Sequence, residues 1–174
     1  MNSRSRSTAT TFRFLAEPGD ANVMGKVHGG VVMKWIDQAG YACAVDRSGR
    51  PCVTVFVGGI RFYKPILIGH LVEVHARVIH VGHTSIHVAL HVRSADIKTR
   101  VFEPTTHCVS VFVALDEGGQ PAAAPPWTPA SEADKAWQRY ARRLMEVGKQ
   151  MEQEMRPHLV PESATGAAAS KEAP

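Results

Sequence analysis

Asp37 is the chemical anomaly of this sequence. It stands inside GGVVMKWIDQAGYACAV (residues 29–45), a stretch apolar on nearly all sides. A carboxylate in such a setting needs a partner or a shifted pKa, because burying a charge without one costs several kcal/mol. Desolvation would raise its pKa and make it a stronger base. A structural reading competes: a pair with Lys34 at i−3, or a hydrogen bond to Tyr41 at i+4. His28-Gly29-Gly30 opens the same stretch. Two glycines at a helix start leave the first N–H groups open, where the helix dipole favours a carbonyl oxygen or oxyanion. An ordinary turn into a helix is the plainer alternative. Asn22 lies in the preceding loop, where an Asx turn or a cap would also explain it.

The spacing constrains how these groups could cooperate. Seven residues of helix separate Gly30 from Asp37, about 10 Å along the axis. One scissile group cannot easily reach both on one helix. If both serve one reaction, two chains supply them, and a two-fold dimer is the natural arrangement. The nine histidines hold no metal pattern. His87 and His91 share a strand face but sit about 13 Å apart at strand rise. No nucleophile-elbow, P-loop or dinucleotide fingerprint occurs.

The elements that would position these groups follow from periodicity. The stretch at 29–45 has helix length, and an all-round apolar helix is a buried one. Its second half is small (Ala39, Gly40, Ala42, Ala44), which permits close approach. Strand patterns occur near Phe12–Leu15, at 52–57, 71–79, 85–93 and 105–115. In two of them Val72, Val74, Ala76, Val78 and Ile86, Val88, Leu90, Val92 alternate with polar residues, as in an antiparallel sheet with one wet face. The fold class expected is α+β, with the sheet wrapped around the long helix. A Gly/Pro-rich linker follows Asp116. Ser131 then caps a helix to residue 156, with Trp137, Tyr140, Leu144, Val147 and Met151 on one stripe.

Domain organisation is read as a leader (1–13), a core (14–130), a C-terminal helix (131–156) and a low-complexity tail (157–174). Of the 174 residues, 44% are hydrophobic and 21% charged, an ordinary soluble composition. Three of the four net positive charges sit in residues 1–13, as Arg4, Arg6 and Arg13 without an acid. The body is nearly neutral, which argues against a nucleic-acid face. The leader lacks the apolar segment of a secretory signal, although its Arg/Ser/Thr character can resemble a transit peptide. No apolar run is long enough to span a membrane. Cys43, Cys52 and Cys108 are widely spaced in apolar stretches and read as free thiols of a reducing compartment, the cytoplasm.

Four segments together resemble the hotdog-fold acyl-CoA thioesterases, in the bacterial and brain acyl-CoA hydrolase branch. They are DANVMGKVHGGVVMKWIDQAG (20–40), VTVFVGGIRFYKPILIG (53–69), VGHTSI (81–86) and HCVSVFVALDEGGQP (107–121). The resemblance implies a hotdog fold, with an antiparallel sheet around a central helix. It implies a homodimer as the minimum active unit, within a tetramer or a hexameric trimer of dimers. It implies acyl-CoA as substrate, with CoA entering as part of it, and no separate cofactor or metal. Asp37 would be general base or nucleophile. Asn22 would position water or thioester, Gly30 would polarise the carbonyl through its N–H, and Thr54 would sit near Asp37. His28 would hold Asn22 or substrate, although many members of the branch carry Phe there. Gly29, Arg61, Lys64, Gly82, His83, Thr84 and Ser85 would form the CoA-binding rim. Two further functions remain open: an acyl-CoA binder or sensor without turnover, and a hotdog enoyl-CoA hydratase or dehydratase.

Overall fold

A computed structural model describes residues 7–159. The described residues hold five strands and two long helices, with short 3-10 turns at Pro18–Asp20 and Arg156–Leu159: β1 Ala9–Leu15, α1 Gly29–Ser48, β2 Cys52–Phe62, β3 Leu71–Val81, β4 Ser85–Ala95, β5 Glu103–Ala114 and α2 Glu132–Met155. The strands form one antiparallel sheet in the order β1-β3-β4-β5-β2. α1 crosses the inner face of all five strands. This is the helix-in-sheet arrangement expected of a hotdog fold.

The core lies between α1 and that inner face. Val32, Trp35, Ile36, Ala39, Cys43 and Ala44 pack on the apolar sides of β3 and β4 and on Cys108, Phe112 and Ala114 of β5. The small residues of α1 matter at Gly40. A Cβ built there would stand 2.8 Å from the Phe112 ring and 3.4 Å from Leu90. Overpacking of this kind costs about 1–3 kcal/mol. Gly40→Val is therefore expected to lower the urea midpoint of unfolding by that energy, and an unchanged midpoint would show that the contact is loose.

Three expectations need correction. First, α1 is not buried all round. Met33, Lys34, Asp37, Gln38 and Tyr41 are exposed and form one side of the helix, since 33, 37 and 41 recur at i+4. Second, the sheet's outer face is only partly wet, with Thr11, Arg13 and Arg93 exposed there and other polar residues covered. α2 lies on it, Glu73 is only 4% exposed and His87 5%, and Ala141 of α2 packs with Ile79, Ala89 and Val109. Arg93 and Arg13 bond to Glu73, and the hydrogen bond from Arg93 is the main reason its carboxyl stays below the usual range. Third, β1 begins at Ala9 and pairs with β3 from Arg77, so the second half of the expected leader is sheet. Residues 1–6 and 160–174 of the expected leader and tail lie outside the described residues.

The C-terminal helix starts where its cap was expected. Ser131 accepts from the Asp134 N–H, and the Asp134 carboxylate returns a bond to the Ser131 N–H. The three cysteines are buried free thiols. Burial pushes Cys43 up to about 12 and Cys108 to about 11, so neither is a thiolate nucleophile near neutral pH. No described helix is long and apolar enough to cross a membrane.

Candidate active site

α1 and β2 bring Asp37 and Thr54 together. Thr54 Oγ1 donates to Asp37 Oδ1 at 2.7 Å, seventeen residues apart in sequence. β2 is one of the sheet's two edge strands, and a register shift between Thr54 and Phe56 interrupts its ladder just beyond Thr54. Such bulges re-aim side chains. The structure differs from expectation in the surroundings of Asp37. The residue is exposed on the single chain, so its own helix does not desolvate it. Neither Lys34 nor Tyr41 bonds to it; Thr54 does. Its neighbours one turn away, Met33 and Tyr41, are exposed apolar side chains, and so are Val53, Val55 and Val57 on β2. Asp37 thus stands among exposed apolar side chains at the sheet edge.

The start of α1 lies at one end of the sheet, tied down by the Val27 N–H bond to Ile66. Here His28 is the N-cap. Its Nδ1 accepts from the Gly30 N–H at 3.2 Å, so the expected carbonyl polariser already holds an internal partner. Gly29 lines a pocket of about 290 Å³, with Val27, Phe62, Lys64, Ile66 and Thr106 among its walls. The sequence reading did not place Val27, Ile66 or Thr106 there. The proline turn after Phe62 is the one local sign of a pocket wall. This volume falls at the lower end of small-ligand sites and is far too small for a whole acyl-CoA.

Asn22 takes the Asx-turn alternative. Its Oδ1 accepts from the Met24 and Lys26 N–H groups at 2.9 and 3.1 Å. No residue named above as a site candidate bonds to it.

The expected CoA rim is divided. Gly29 and Lys64 are at the helix-start end, where Lys64 pairs with Glu103 at 3.0 Å, both partners more than half exposed. Arg61 is opposite His107 in the β2–β5 register, which puts it on the outer face and outside that pocket. Gly82, His83, Thr84 and Ser85 form the turn at the far end of β3, near the last residues of β5. Eleven residues of β3 separate the two groups, about 36 Å at strand rise. Ser85 Oγ is also engaged, with His87 Nε2 at 3.2 Å. One chain therefore does not bring the rim together.

Residues 24–101 match the thioesterase superfamily. The acyl-CoA thioester hydrolase YciA of Escherichia coli strain K12 is 33% identical over 119 residues, which covers 65% of this chain and 88% of that protein. The chain belongs to the thioesterase superfamily. Two solved structures agree with this thioesterase-superfamily fold. An apo, hexameric acyl-CoA thioesterase superposes with a TM-score of 0.78 at 29% identity, over 82% of this chain and 92% of that one. An acyl-CoA hydrolase from Staphylococcus aureus, solved with butyryl coenzyme A, coenzyme A and coenzyme A disulfide, gives 0.79 at 25% identity, over 87% and 92%.

Proposed function

We propose that the protein hydrolyses acyl-CoA thioesters to free acid and CoA at a site completed by a second copy of the chain. The hydrogen bond from Thr54 to Asp37, inside an exposed apolar strip at the sheet edge, carries this reading. Antiparallel addition of a second β2 would cover the strip and desolvate Asp37. It would also run the two α1 helices in opposite directions, so that the helix start of one chain faces the middle of the other. The far-end turn at residues 82–85 of one chain then lies toward the helix-start end of its partner. Both the divided rim and the 10 Å between Gly30 and Asp37 are explained by one symmetry operation. The hexameric neighbour supports a homo-oligomer.

In this scheme the carbonyl oxygen binds at the helix start and displaces the His28 ring from the Gly30 N–H. Asp37, held by Thr54, takes a proton from water as the water oxygen bonds to the carbonyl carbon. The C–S bond then breaks, and the proton passes from Asp37 to the departing CoA sulfur. Asp37 acting directly as nucleophile needs the same donors, with water entering in a second step. No resident metal or cofactor takes part. The buried thiols fit a reducing compartment, and we place the enzyme in the cytoplasm.

A panel of short, medium, long and aromatic acyl-CoAs tests the reading by thiol release. Turnover of at least one class is the expected result. Calorimetric binding without release would make the protein a sensor, and loss of enoyl absorbance without release would make it a hydratase.

A further inference from the structure

α2 is longer than the surface it packs on. Its apolar stripe starts with Trp137 against His91 and His107. It continues with Ala141 over Ile79, Ala89 and Val109. Leu144 then stands over Gly58 and Gly148 over the Phe56 ring, both on β2. The helix thus passes obliquely from the middle of the sheet to its edge strand. Beyond Gly148 the same stripe continues at Met151 and Met155, which are 64% and 53% exposed, and Leu159, 66% exposed, stands in the 3-10 turn Arg156–Leu159 that follows the helix. Met151 and Met155 face the side of α2 that lies on the sheet, but among the described residues no strand lies beyond β2. Residues 149–155 add about 10 Å of helix, and adjacent strands are about 4.8 Å apart. Even at an oblique angle, that overhang reaches over the first strand of a sheet continued beyond β2.

We propose that the overhanging end of α2, with the turn that follows it, is a clamp on a second copy of this chain: Met151, Met155 and the turn's Leu159 pack on the outer face of that copy's β2. The inference rests on the β2-to-β2 dimer proposed above. The overhang begins where the apolar edge strand ends, so the two surfaces are continuous. The inner side of the seam is then closed by Met33, Tyr41 and Val57, and the outer side by two α2 ends related by the two-fold axis. Removing α2 contacts would loosen the assembly that completes the active site without touching any group that meets substrate.

Thiol protection in the full-length assembled protein tests this. The three native cysteines are buried, so an added surface thiol dominates labelling. Met155→Cys is compared with Glu146→Cys, which is on an exposed part of the same helix. At micromolar protein the Met155→Cys thiol is expected to react with a maleimide at least tenfold more slowly, and dilution to monomer should remove the difference. Equal rates in the assembled protein would overturn the proposal. Protection that survives dilution would also overturn it, since the chain's own tail would then be the cover. As a second arm, Met151→Glu with Met155→Glu should raise the dimer dissociation constant at least tenfold in sedimentation, with helix content unchanged. Intact dimers that merely fail to form hexamers would move the surface to another interface and refute the clamp. A wild-type chain that is monomeric yet active would sink the dimer reading itself. Dimeric, active wild type with unaffected variants would sink the clamp alone.

Discussion

Asp37→Asn is expected to abolish thiol release from acyl-CoA while leaving the assembly intact. Asparagine keeps the shape of the side chain and can still accept the Thr54 hydroxyl, but it cannot take a proton from water or attack a carbonyl. Loss of a positioned general base costs about 10²–10⁴-fold in rate, and loss of a nucleophile costs more. Stability should change little, because the residue is exposed on the single chain and its one side-chain partner is retained. Thr54→Val gives a graded comparison. It removes a hydrogen bond to a charged acceptor, worth about 1.5–3 kcal/mol, so a fall of roughly ten- to a hundredfold in kcat is expected with KM nearly constant. Steady-state kinetics and sedimentation of the two variants decide the matter. Full activity in Asp37→Asn would remove Asp37 from the mechanism.

Acid should loosen the outer face before the rest of the molecule. Four of the histidines on β3, β4 and β5 there, His80, His87, His91 and His107, have lowered pKa values, and α2 packs on the same face. Burial, reinforced by the charge of His80, lowers His87 to about 4. Burial again, with His107, His75, Arg77 and Arg93 around it, lowers His91 to about 4. Burial also lowers His80, helped by Arg142 of α2, and His107, where a hydrogen bond with the Leu90 backbone opposes it. The unfolded chain takes up protons at the ordinary value near 6.5, whereas the folded one resists until lower pH. The stabilising contribution is therefore whole above pH 6.5 and is lost progressively as pH falls toward 4. A tenfold difference in proton affinity is about 1.4 kcal/mol. Discounting for rings that keep some contact with solvent, His87 and His91 together should cost on the order of 2–4 kcal/mol. Trp137 touches His91 and His107. Its fluorescence should accordingly change within that pH window, at lower denaturant than the core helix signal. A flat stability between pH 6.5 and 4 would show that the rings are solvated.

Much of the fold was legible because alternation and helical periodicity are local. β3 and β4 declared themselves through Val72 to Val78 and Ile86 to Val92, whose partners on the inner face are all buried. The wet side of α1 was not legible. Met33 and Tyr41 count as apolar in any composition of the helix, and only their exposure on either side of Asp37 shows that they are not core. The α2 stripe gave a face without saying what it would cover. The outer polar residues of β3 and β4 were thus expected to be in water, although Glu73 and His87 are buried. Asn22 shows the limit at a site: an asparagine in a glycine loop serves an Asx turn as readily as a substrate, and the bonds from Met24 and Lys26 engage its Oδ1 while its amide N–H groups stay available.

By itself the sequence determined the fold class, the family resemblance, the pairing of a carboxylate with a helix start, and the 10 Å that keeps them apart on one chain. These follow from residue identity and from repeat distances that no tertiary contact can change. Tertiary structure decided the rest. It put Thr54 on Asp37, set the His28 ring on the Gly30 N–H, and split the expected rim between two ends of β3. It also left an apolar edge beside the carboxylate. Those outcomes depend on which strand lies at the edge of the sheet and which face a helix covers, and both are set by packing between segments far apart in the chain.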